Sequence, residues 1–232
     1  MPFPRDVEGQ PLQLLAQINF EEIPSIEDYP RSGILQFYVA STSSPAQIWG
    51  MRLPAEPYSA AQHVAGLQSQ DYFRVVFHER ADQVDSRLIE SVPRPEGDAF
   101  LPVRDEGPMT FRRETGHVLN EDVRFERVFG ARAEEFFDRF GEKACEIGNA
   151  YFQNAYTYSL AQIGGYAAPV QDDPRWLADE TDWVVLMQIE SSQTEDEVGI
   201  LWGDAGVGLF FIRRADLLDR DFSRVMYYWD NH

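Results

Sequence analysis

The stretch from Trp183 to Arg213 constrains the fold more than any other part of this chain. It opens on an apolar run of Val, Leu, Met and Ile and crosses an acidic turn. It then passes Trp202-Gly203-Asp204-Ala205-Gly206 and returns through Val207 to Ile212. Short β-favouring runs bounded by Gly and Asp read as neighbouring antiparallel strands. A fainter copy lies near the N-terminus, where Leu15-Ala16-Gln17-Ile18 matches Leu186-Met187-Gln188-Ile189. Gly33 to Val39 (GILQFYV) likewise matches Gly206 to Ile212 (GVGLFFI). Gly33 follows Gln17 by 16 positions and Gly206 follows Gln188 by 18. Agreement at the glutamine, the glycine, the aromatic pair and the closing β-branched residue points to an internal duplication. The expected architecture is α+β: mostly antiparallel β-sheet built from two pseudo-repeats, with a few packed helices. It forms one domain over residues 1–232, with halves near 1–110 and 111–232.

The remaining elements follow from period and punctuation. Strands are expected at Leu12–Asn19, Gly33–Ala40, Tyr72–His78 and Arg224–Trp229, with a weaker one at Met109–Arg113. In the first of these, Gln17 is a polar residue within a near-continuous apolar run. Short helices are expected at Ala60–Leu67 and Ala215–Arg220. The best helix is Ala131–Cys145, whose Ala133, Phe136, Phe137, Phe140 and Ala144 share a stripe. Gly141 weakens or bends it, and Cys145 reads as a small core residue. Ser41–Pro57 and Pro93–Gly107 read as loops.

Composition narrows the function classes. With 16 Phe, 10 Tyr and 5 Trp in 232 residues, the chain has ample material for a core. The formal charge of −19 argues against a nucleic-acid partner, since binding phosphate backbones needs a basic face. It favours basic partners through long-range steering. The single cysteine, Cys145, rules out an internal disulfide and a cysteine-based zinc cluster. No N-terminal apolar run or membrane-length span occurs, so a soluble cytoplasmic protein with no membrane association is expected.

Four constellations are candidates for chemistry. Trp202 and Asp204 sit in a glycine-flanked loop that suits either a tight turn or a polar ligand beside an indole. Gly164, Gly165 and Tyr166, followed by Gln171, Asp172 and Asp173, can form either a backbone nest with carboxylates at its rim or an ordered loop docked on the sheet. Gln17 and Gln188 hold corresponding places in apolar strands. They either bond loop backbone or line a cleft as a pair. The acids from Asp172 to Asp204, including Glu195-Asp196-Glu197, lack the calcium-loop spacing and read as an exposed acidic turn. The four histidines are scattered, and no phosphate loop, metal motif or nucleophile elbow is present. No metal and no cofactor are expected.

Taken together, LLAQINFEEIP with GILQFYV, then IGGYAAPVQDDPR, then VVLMQIES, WGDAGVGLFFI and the ADL and DFSRV that follow, resemble the YwqG family of bacterial proteins, a family of unknown function. The match runs from about Leu12 to Val225 in the family's order. It implies an α+β fold of two related β-rich halves and carries over no activity, cofactor or catalytic residue.

The functional reading leans away from an enzyme. It favours a protein-binding module, toxin-neutralising or regulatory, that turns an acidic face toward a basic protein partner. The alternative is a small-molecule or carbohydrate binder, or a hydrolase, that uses Trp202, Asp204, Tyr166 and Asp172 between the halves.

Overall fold

The computed structural model describes residues 3–41, 47–52, 59–79, 101–178, 182–192 and 199–232. The first hairpin pairs β1 (Gln13–Asn19) with β2 (Ile34–Val39). A two-residue-per-strand hairpin follows, β3 (Gln47–Ile48) and β4 (Met51–Arg52). Its turn is Trp49-Gly50 at φ +48° and +86°, the pair of positive angles that matches strand twist in a tight hairpin. Helix α1 (Ala60–Leu67) starts on a capping box between Ser59 and Gln62 and leads to β5 (Phe73–His78), which completes an antiparallel sheet in the order β1-β2-β5.

A helical cap comes next: α2 (Phe125–Phe129), α3 (Ala133–Asp138) and α4 (Ala144–Ala155). Phe125, Phe129, Phe136, Phe137 and Tyr151 interlock there as a satellite core. The second sheet runs β6 (Ala161–Gln162), β7 (Trp183–Glu190), β8 (Val207–Arg213) and β9 (Met226–Asp230), all antiparallel, with α5 (Arg214–Asp219) between the last two strands. No helix among the described residues is long and apolar enough to cross a membrane.

The sheets pack face to face, which explains the unbroken apolar runs. In β8, Phe210 and Ile212 point at Leu35, Phe37 and Val39 of β2 in the main core. Val207, Leu209 and Phe211 point the other way, into a second cluster with Leu67, Ala167 and Met226. A strand buried on both faces has no polar alternation to show.

The α+β class and the antiparallel sheets match the expectation from sequence. The two hairpins also share a register. Ala16 opposes Phe37 as Met187 opposes Phe210, and Gln17 opposes Gln36 as Gln188 opposes Leu209. Each long hairpin carries a bulge at the same place, at Leu15 and at Leu186.

Several local expectations fail. Met109–Arg113 forms no strand. The helix expected over Ala131–Cys145 stops after Asp138, because Gly141 takes φ +57°, and a second helix runs on to Ala155. Cys145 is exposed on α4 rather than buried in the core. Ser41–Pro57 includes the β3–β4 hairpin. The acidic turn Glu195-Asp196-Glu197 lies outside the described residues, as do 93–100 of the expected Pro93–Gly107 loop.

Candidate functional site

The candidate site is built from two Asp-x-Arg turns far apart in sequence. In the first, Asp122-Val123-Arg124, the Asp122 carboxylate accepts from the backbone N–H of Arg124 at 2.8 Å and from its Nε at 3.0 Å. In the second, Asp173-Pro174-Arg175, Asp173 accepts from the Arg175 N–H at 3.0 Å and its Nε at 2.9 Å. Proline at the first position of the 3-10 turn Pro174–Leu177 has no N–H to satisfy, and Asp173 caps that turn.

These turns interlock. Arg175 reaches across to Asp122 at 3.0 Å, and the backbone N–H of Val123 donates to Asp173 at 3.0 Å. Asp122, Asp173 and Arg175 are buried, and the Arg175 guanidinium lies 4.6 Å from the centroid of the Phe211 ring. Burial alone would raise the Asp122 carboxyl. The Arg124 hydrogen bond and the charges of Arg175 and Arg124 together outweigh it and hold that carboxyl below the usual range. Burial likewise opposes charge on Arg175, and its bonds to Asp173 and Asp122 more than offset that, so the guanidinium stays protonated.

The Gly-Gly loop is docked onto this cluster. Gly164 donates to Val185 O at 3.0 Å, and the carbonyl of Gly165 accepts from Arg124 at 2.6 Å. Arg124 also stacks over the Tyr166 ring at 4.3 Å. The N–H groups that follow are filled by the protein's own oxygens. Ala167 donates to Asp122 at 2.6 Å, Ala168 to Gln188 at 2.9 Å, and Val170 and Gln171 to Asp230 at 3.1 and 2.8 Å. These four N–H groups are taken by side chains of the protein itself, and Asp173 is buried in the interlock rather than set at a rim. The side chain of Gln171 reaches Asn231 O, and Asp172 is exposed at the rim.

The other anticipated site residues disperse. Trp202 is fully buried among Trp49, Tyr227 and Trp229 and walls no open cavity. Gly208 makes room for it: a Cβ there would stand 2.3 Å from the indole. Asp204 is exposed at the tip of a turn closed by Gly206 N–H donating to Trp202 O at 2.7 Å. Gln17 and Gln188 do not form a cleft-lining pair. Gln188 is buried under the Gly-Gly loop and donates to Glu190 at 2.8 Å. Gln17 stands on the open face of its sheet and accepts from Gln36 at 2.6 Å. Their strand positions correspond, and only the second is roofed by a loop. The acids of 172–204 split too, since Asp173 and Glu190 are buried while Asp172, Asp182 and Asp204 face solvent.

Beside the interlock lies a cleft of about 220 Å³ walled by Val123, Glu126, Arg127, Arg175, Trp176 and Trp183. Trp183 is buried, and its Nε1 has no partner among the described residues. Arg132 covers the outer edge, its guanidinium 4.2 Å from the Trp176 ring centroid. Among the described residues no group of three His, Cys, Asp or Glu is placed to hold a metal ion. Sequence reasoning missed Asp122 and Arg124; the recurrence of Asp-x-Arg at 122–124 and 173–175 was the available signal.

Residues 1–231 match the model of a family described as a domain of unknown function (DUF1963), and the chain belongs to that family. No curated protein matches it.

Proposed function

We propose that this DUF1963 chain, YwqG-like in its segments and built from two related halves within one domain, is a non-enzymatic cytoplasmic module that binds another protein. The observation that carries this reading is the size and wall of the Trp176 cleft. Small-molecule sites fill roughly 300–1,000 Å³. At about 220 Å³ this one suits a single anchoring side chain. Its rim supplies tryptophan and arginine, the residue types that dominate binding energy at protein interfaces. Trp176 keeps 37% of its surface exposed although Arg132 stacks on it. The net charge of −19 steers a basic partner toward the molecule, in keeping with a toxin-neutralising or regulatory role. The small-molecule reading built on Trp202 and Asp204 has less support, because the indole is sealed in the core.

The test is capture from native lysate at low and high salt by the wild type and by Trp176→Ala. Basic proteins retained by the wild type at low salt, and bound at least tenfold more weakly by the variant, are expected. A retained set free of basic proteins at both salts, or one that Trp176→Ala leaves unchanged, overturns the reading.

A further inference from the structure

On another face, the chain reverses after the first hairpin's strand β1 and again after α5, and the two reversals enclose a cleft of about 410 Å³. Its walls carry Asp28, Pro30, Arg31, Ser32, Leu218 and Arg220. Asp28 is already paired with Arg214. Arg31 and Arg220 are exposed, and neither guanidinium has a hydrogen-bonding or ion-pairing partner among the described residues. Two unpaired guanidinium groups sharing one hollow is unexpected in a chain with 39 acids and 20 Lys and Arg residues, where internal partners are plentiful.

The backbone of this hollow is unusual as well. Five non-glycine residues among those described have positive φ, and two of them, Asp28 at +69° and Arg220 at +58°, belong to these walls. At Arg220 the left-handed angle closes α5, its backbone N–H donating to the last carbonyls of the helix, so the cap fixes where the Arg220 side chain leaves the backbone. Leu217 anchors α5 in the core, while its neighbour Leu218 stays 57% exposed at the cleft wall.

From these observations we infer that the cleft is a binding site for a small amphipathic anion. Its carboxylate or phosphate sits between Arg31 and Arg220, and its apolar part rests on Leu218 and Pro30. Planar guanidinium forks match both head groups. The volume falls inside the range small ligands fill, unlike that of the Trp176 cleft.

Calorimetric titration with octanoate, octyl phosphate, acetate and inorganic phosphate tests this on the full chain. Variants Arg31→Ala, Arg220→Gly and, as a control for bulk charge, the exposed Arg113→Ala are titrated alongside. Arg220→Gly removes the guanidinium while keeping a residue suited to the left-handed position, so its melting temperature is not lowered. Saturable binding of octanoate or octyl phosphate is expected, at least tenfold tighter than that of its short counterpart. It weakens at least tenfold in Arg31→Ala and Arg220→Gly and is unchanged in Arg113→Ala. The assignment is overturned if no probe saturates, if chain length makes no difference, or if Arg113→Ala weakens binding as much as the cleft variants do.

Discussion

Phe37 and Phe210 meet between the two sheets with ring centroids 4.8 Å apart and planes at 60°. Each comes from an interior strand of its sheet, and each lies opposite the residue that follows a bulge, Ala16 in one hairpin and Met187 in the other. Both rings are fully buried.

Truncating either ring leaves a void that neighbouring strands cannot close, so Phe37→Ala or Phe210→Ala is expected to cost about 3–5 kcal/mol. A double-mutant cycle with leucine at both positions should return a coupling of about 0.5–1.5 kcal/mol for the ring pair. Urea denaturation of the four proteins measures both quantities.

Arg175→Met leaves Asp122 paired with Arg124 and removes the guanidinium that Asp122 and Asp173 share. Breaking a buried pair from one side costs about 3–5 kcal/mol at neutral pH. In the wild type, the depressed Asp122 carboxyl contributes stability that is present above its unfolded-state value and lost as pH falls through the folded one. The variant keeps the part that Arg124 supplies and has lost the part that the Arg175 charge supplies. Its deficit in melting temperature should therefore shrink as the buffer is taken to acid.

Glu190 has the opposite sign. Burial raises its carboxyl despite hydrogen bonds from Tyr156 and Gln188. A raised folded value means that its stabilising contribution is present below the unfolded-state value and lost as pH rises through the folded one. Glu190→Gln should flatten the stability profile just above the ordinary carboxylate range and leave the acid limb governed by Asp122 in place. Melting temperatures across that range, for the wild type and the variant, decide it.

Gly208→Ala forces a methyl group to within 2.3 Å of the Trp202 indole, which is itself held by Trp49 and Trp229. Overpacking of this kind costs about 1–3 kcal/mol. A blue-edge or intensity change in tryptophan fluorescence should accompany the drop in stability; an unshifted spectrum with full stability would contradict the packing described.

What the sequence made legible was local. Val-, Ile- and Phe-rich runs bounded by glycine located β1, β2, β5, β7 and β8 to within a residue or two, because strand period and turn chemistry are written in neighbouring positions. The interlock was not legible in that way. Asp122 and Arg175 are 53 positions apart, and the repeated Asp-x-Arg spacing does not by itself say that the two turns meet. Trp202 could be read as part of a tight turn or as the wall of a ligand site, because glycine-rich surroundings suit both. The glycine that matters, Gly208, instead admits the ring to the core. Helix α4 was missed because ACEIGNAYFQNA has a weak stripe; Ile147 and Tyr151 pack against the cap's aromatic rings, and Tyr151 donates to Val118 O.

The paired Asp-x-Arg turns tie the helical cap to the second sheet. Arg124 leads directly into α2, while Arg175 lies against Phe211 of β8 and donates to Trp183 O of β7. Peeling the cap from the sheet would strand charge on both sides in a medium that cannot solvate it. The small aromatic core therefore has no independent melting step: amide exchange in α2 and in β8 should proceed through a shared opening, with the cap and the sheet behaving as one cooperative unit.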